Sequence, residues 1–363
     1  MKNTVLFYFF LWLSLASQEQ EIAFPRCLKK GDVIGLFTPS WPAHIHLREK
    51  YLHALTQIKE SGFDYIEGKL TAQLISQGYR TASAEERAEE FMELIRNPKV
   101  SCLMATIGGY NSSSLIPFLD FDEIRESRKI ICGYSDLTAL HLAILKYSGL
   151  STFYGPSLVP SFGESPTVLP FTIDSFFQMA TATNNGEIQL LPPREWSDQF
   201  IDAKIEGWQK IQREFHQNMG WKTIVPGRAE GVLIIANLEV LIFSAGTPYF
   251  PDLKGKILLL EETAAHFPRT ERCFQQLMAM GVFDELKGLI LSKPGNIIPD
   301  GAPFSYEELI CEVIGKRDYP IICQFDCGHT FPSLTIPEGS RVYLKANEAG
   351  TEISIKKPIC MEN

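Results

Sequence analysis

The chain has 363 residues, 45% hydrophobic and 21% charged, with 34 Lys and Arg against 43 Asp and Glu for a formal net charge of −9. That balance excludes a disordered, collagenous or coiled-coil chain and leaves core enough for two domains. A pI near 5.4 without a basic run removes the electrostatic footprint a nucleic acid partner requires.

Residues 1–20 carry Lys2, then no charge from Thr4 to Ala16, with small residues at Ser14 and Ala16 in A-x-A-like positions. The segment is too short for a membrane span and reads as a secretory signal peptide, with the mature chain beginning after about Ala16. Cleavage would mean export. The alternative, an apolar N-terminal helix or an over-long start, leaves the protein cytoplasmic.

From Gly31 short apolar runs alternate with amphipathic helices: DVIGLFTPS, a helix around Leu47 to Ser61, SCLMATIGG, a helix opening near Ser112, KIICGYSD, LTALHLAILKYSG and STFYGPSL. This alternation predicts an α/β domain over 21–165, a wound parallel sheet of flavodoxin-like type whose strand-end loops form the functional edge. Residues 166–227 are polar and interrupted and read as a linker with the first strands of a second domain. Residues 228–363 alternate strands with two helices, predicting a smaller α+β body. Eight cysteines lie scattered, mostly in apolar strings, and read as buried small hydrophobes. Cys323 to Cys327 is a candidate bridge if the chain is exported. Zinc is not expected, because C-x-x-x-C followed by His329 lacks a second ligand pair.

Three passages carry candidate chemistry. In Ala105-Thr106-Ile107-Gly108-Gly109-Tyr110-Asn111-Ser112, a strand runs through two glycines into a serine cluster. A serine on such a turn is a candidate nucleophile, and helix-start amides a candidate oxyanion site. The plainer reading makes one serine a helix cap. GKILLLEE delivers Glu261 and Glu262 at a strand end, where a carboxylate either orients a histidine or complements a helix dipole. PIICQFDCGHT ends a strand in Asp326, Gly328 and His329; of the seven histidines, only this one follows a buried strand into a Gly-containing turn. A hydrogen-bonded structural histidine is its other reading.

Together these passages resemble the serine peptidase family that contains the LD-carboxypeptidases and the microcin C immunity proteins. The resemblance runs from about Leu28 to about Ile355 and takes in LKKGDVIGLFTPS, QGYRTASAEERAEEF, IGGYNSSSLIPFLDFD, IICGYSDLTALH, GTPYFPDLKGKILLLEE and FDCGHT in order. It implies a Ser-His-Glu triad, with Ser112 as nucleophile, Glu261 as orienting acid and His329 as general base. It further implies no metal or organic cofactor, and a homodimer. The amides of Gly108, Gly109 and Ser113 are its oxyanion candidates, and Asn237 a substrate contact. GYSD resembles a segment lining the active-site floor; Asp136 is either part of that floor or the cap of the following helix.

The carboxypeptidase branch usually has arginine before the glycine pair and glycine before the nucleophile, where this chain has Ile107 and Asn111. The GG-x-N-S spelling looks closer to the immunity branch. It implies hydrolysis of an amide between a peptidyl or aminoacyl carboxyl and a nucleotide-like amine. Trimming of murein tetrapeptides is the alternative, and a non-catalytic peptide binder or a periplasmic-type ligand-binding protein a further one.

Overall fold

In the computed structural model, which describes residues 21–182, 186–356 and 358–362, the first half of the chain builds a parallel sheet. Its strands are β1 (Val33–Phe37), β2 (Asp64–Glu67), β3 (Val100–Ala105), β4 (Ile130–Gly133) and β5 (Phe153–Tyr154). They lie in the order β2-β1-β3-β4-β5. All four residues of β4 are buried, which is why its sequence is an apolar run without alternation. Helices Arg48–Glu60, Ala84–Arg96 and Thr138–Ser148 make crossovers. The second of these starts on a capping box between Ser83 and Glu86. The proposed leader lies outside the described residues. Among the described residues no helix is long and apolar enough to cross a membrane.

The second sheet has eight strands. Its centre, Gly227–Asn237, Ile257–Glu261, Gly288–Ser292 and Ile321–Phe325, is parallel, and antiparallel strands flank it on both sides. The α+β expectation therefore gives way to a mixed sheet with helical crossovers through Leu238–Phe243, Phe267–Ala279 and Tyr306–Ile314. Runs such as ILLLE are buried along their whole length, so both faces must be covered. The 166–227 stretch holds helix Pro170–Ala180 and supplies an edge strand to each side of this sheet, Glu187–Gln189 and Lys222–Val225.

The two sheets are not independent. Beyond His329 the chain returns to the first sheet, where Ile336–Pro337 pairs antiparallel with β5. One apolar cluster runs from Ile34 and Cys132 through Ile336 to Leu259 and Ile322. The reading of the cysteines as buried small hydrophobes, with Cys323–Cys327 as the candidate bridge, is corrected at one pair: Cys27 and Cys360 form a disulfide across 333 residues. Cys323 and Cys327 remain free and buried.

Candidate active site

Strand β4 ends at Gly133, and the next turn holds Ser135 at φ +65°, a left-handed conformation uncommon for a residue with a side chain. This sharp corner presents the Ser135 hydroxyl to His329, with Oγ 3.1 Å from Nε2. The other ring nitrogen, Nδ1, lies 2.8 Å from Glu261 Oε2. Glu261 closes the buried strand Ile257–Glu261 and is 1% exposed. Its second oxygen accepts hydrogen bonds from the Tyr154 hydroxyl at 2.7 Å and Asn237 Nδ2 at 2.8 Å. Burial alone would push this carboxyl up; the facing His329 and the hydrogen bonds from His329, Tyr154 and Asn237 outweigh it and hold the group below its ordinary value. The carboxylate thus stays ionised beside the imidazole. A side chain at Gly328, at φ +95°, would put its Cβ 2.5 Å from Glu261 Oε2, so only glycine lets the His329 loop pass over the carboxylate.

Of the serines, Ser135 and not Ser112 meets the base. Ser112 is fully buried, and its hydroxyl donates to Asp136 Oδ2 at 2.6 Å. The same oxygen accepts the amides of Asn111 and Ser112, each at 3.0 Å. Asp136 therefore does not cap the helix that follows it; its carboxylate ties the turn after β3 to the turn after β4. Gly108 sits where the turns touch: a Cβ there would lie 3.2 Å from both the Asp136 amide nitrogen and Ser135 Cβ. Gly109 packs on Ser40, whose Oγ accepts from the amides of Tyr110 and Asn111. Ser113 occupies the first turn of the short helix Ser112–Phe118. Asn237 serves Glu261 through Nδ2 and caps helix Leu238–Phe243 through its oxygen, which accepts from Val240 N.

Sequence reasoning missed three participants. Ser135 had a signal in G-x-S directly after an apolar strand, half of a nucleophile-elbow spelling. Tyr154 accepts the Ser135 amide at 3.1 Å while donating to Glu261, and burial beside that carboxylate raises its phenol well above the ordinary value. Arg87, 1% exposed, donates to Asn111 Oδ1 at 2.9 Å and Ser114 Oγ at 3.0 Å, bracing the glycine turn from behind. Neither contact is local in sequence. Among the described residues no cluster of His, Cys, Asp or Glu is arranged to hold a metal ion.

A hydroxyl on an imidazole, itself on a buried carboxylate at strand ends of an α/β fold, is the arrangement of a serine hydrolase. Residues 34–155 match the LD-carboxypeptidase N-terminal domain and residues 230–344 the C-terminal domain. The sequence is 36% identical over 328 residues to the microcin C7 self-immunity protein MccF of Escherichia coli, covering 90% of this chain and 94% of that protein. Its fold matches MccF in complex with aspartyl sulfamoyl adenosine at a TM-score of 0.87 and 35% identity, over 93% of this chain and 99% of that one. Another MccF structure holds glutamyl sulfamoyl guanosine. A muramoyltetrapeptide carboxypeptidase from Oxalobacter formigenes shares the fold at TM-score 0.72 and 23% identity, over 91% of this chain and 100% of that one. The chain belongs to the LD-carboxypeptidase family of serine peptidases, and it is an enzyme of the serine carboxypeptidase type.

Proposed function

We propose that Ser135, His329 and Glu261 hydrolyse an amide bond at the carboxyl end of an aminoacyl or short peptidyl group. The observation that carries this reading is the continuous contact from Ser135 Oγ to His329 Nε2 at 3.1 Å and from Nδ1 to Glu261 at 2.8 Å. His329 takes the hydroxyl proton as Ser135 attacks the carbonyl carbon, and Glu261 stabilises the imidazolium that forms. The amide following a nucleophile is a common oxyanion donor, here that of Asp136. The space left by the missing side chain of Gly108 lies 3.2 Å from it. His329 then returns the proton to the leaving amine, and water, deprotonated by the same base, releases the acyl group from Ser135. Nucleophile and base are both protein side chains, so activity is expected to survive EDTA.

For the substrate we infer an aminoacyl or peptidyl amide of a nucleotide-like amine. Two facts support it: relatives at about one-third identity bind aminoacyl sulfamoyl nucleosides, and Ile107 stands before the glycine pair. An aliphatic side chain there supplies no guanidinium to grip a free terminal carboxylate. The test is a side-by-side assay with aspartyl-sulfamoyl-adenosine and a murein tetrapeptide. Faster release of D-alanine from the tetrapeptide would overturn the substrate while leaving the triad standing; no turnover of either after Ser135 is shown accessible would return the chain to a binding role. We also expect a homodimer, which light scattering in solution checks.

A further inference from the structure

Next to the triad lies a small pocket walled by Tyr134, Gly155, Ser161, Glu164, Thr330 and Phe331. Tyr134 and Thr330 are chain neighbours of Ser135 and His329, and the Tyr134 ring meets the His329 ring edge to face at 5.0 Å. The pocket therefore adjoins the reacting hydroxyl. It offers 20 Å3 in which the centre of a water-sized group fits, room for one ammonium head or one water.

Two polar atoms of this wall are buried without a hydrogen-bond partner, Glu164 Oε2 and Thr330 Oγ1. Glu164 is 3% exposed, and its other oxygen accepts from Arg213 Nη2 at 2.8 Å. The Arg213 guanidinium lies over Phe331, its carbon 3.7 Å from the ring centroid, and also donates to the Gln199 carbonyl. Glu164 is thus pinned through one oxygen while the other is left open, and an open buried carboxylate oxygen is costly unless a donor arrives. The donor must serve an acceptor-only carboxylate and a threonine hydroxyl. A primary ammonium brings three donors and a charge; a hydroxyl or neutral amide brings fewer and no charge.

We propose that this pocket is a subsite for an ammonium group of the substrate, read by Glu164 with help from Thr330. The proposal rests on Ser135 and His329 performing the chemistry described above. Arg213, and Lys50 over the Trp208 ring, already act on Glu164 electrostatically. An incoming cation competes with them, so the expected effect is graded discrimination.

The experiment measures kcat/KM for aspartyl-sulfamoyl-adenosine and a murein tetrapeptide, each with its amino groups free and acetylated. The native enzyme should favour the free form by about tenfold or more. In Glu164→Gln the ratio should collapse to within about twofold of one, because a neutral amide keeps the shape and loses the charge. Thr330→Val should reduce the ratio by about threefold; it keeps the test alive if Glu164→Gln melts early. A native ratio near one means that the pocket holds only a bridging water, and an unchanged ratio in both variants means that another group reads the amine; either overturns the subsite. Failure of the nucleotide reading is seen separately, as turnover of the tetrapeptide alone, and the ratio is then read on that compound. Turnover of neither overturns the subsite together with the reading beneath it.

Discussion

Two corners of the first sheet carry serines after glycines, and they do opposite things. After β3 the chain passes Gly108 and Gly109 and buries Ser112 against the Asp136 carboxylate. After β4 it passes Gly133 and holds Ser135 in a left-handed turn against His329. The first corner has more of the features expected of a nucleophile turn: two glycines, three serines and a helix start. What separates the two is the partner each hydroxyl meets. A carboxylate that also binds two amides builds a floor, whereas an imidazole backed by Glu261 builds a base.

The largest test of that contrast is its direct reversal. Ser135→Ala should lower kcat by about 10^4-fold or more, with an unchanged unfolding free energy, whereas Ser112→Ala should leave kcat within about tenfold and instead cost about 2 kcal/mol of stability through the lost charged hydrogen bond. Steady-state rates and urea melts on both variants decide it; a dead Ser112→Ala beside an active Ser135→Ala would invert the two corners. Asp136→Asn keeps the shape and weakens the tie between corners, and should lower kcat by roughly 10- to 100-fold with little change in KM. An equal rise in KM would instead make Asp136 a substrate ligand. Gly108→Ala puts a methyl 3.2 Å from the Asp136 amide, and is expected to lower kcat about tenfold while the fold persists. Full activity in that variant would move the oxyanion site elsewhere.

A separate test, on stability rather than rate, concerns the same contrast between adjacent carboxylates. Glu261 is held ionised, but Glu262, buried with hydrogen bonds from Thr270 and Tyr306, is pushed up to about 7, burial being the main cause. Between its unfolded value of 4.5 and about 7 the folded chain binds a proton that the unfolded chain has released. Stability from this group therefore falls as pH rises through that window and stays reduced above it. Glu262→Gln should flatten that fall, adding up to about 3 kcal/mol at pH 8 and nothing near pH 4, read from urea unfolding at both pH values. A variant less stable at pH 8 would show that Glu262 is held ionised too.

Much of this frame was legible in the sequence because apolar runs and their spacing carry it. The strands Val33–Phe37, Val100–Ala105, Ile130–Gly133 and Phe153–Tyr154, the strand ending in Glu261 and the strand leading to His329 all follow from apolar runs that must be buried, whereas Asp64–Glu67, a half-exposed edge strand, carries no such run. The serine that meets His329 was not legible by the same route. GYSD spells a strand end followed by a plausible helix cap, and only the fold reveals that His329, 194 residues further on, closes over Ser135. Arg87 and Tyr154 act through contacts equally remote in sequence. The second sheet was misjudged because its flanking antiparallel strands alternate in sequence and draw attention away from a parallel centre. The Cys27–Cys360 pairing is another long-range fact that spacing does not encode.

That disulfide changes the topology of the molecule. By joining residue 27 to residue 360 it converts nearly the whole polypeptide into a covalent ring, with both sheets and Ser135, Glu261 and His329 inside the loop. A protease that cuts once anywhere on the ring only linearises it, and the two pieces stay bound until a reductant is added. Nicked enzyme should therefore run as one full-mass species without thiol and as two fragments with it. Ser135 and His329 would remain on one covalent body even after the backbone between them is severed.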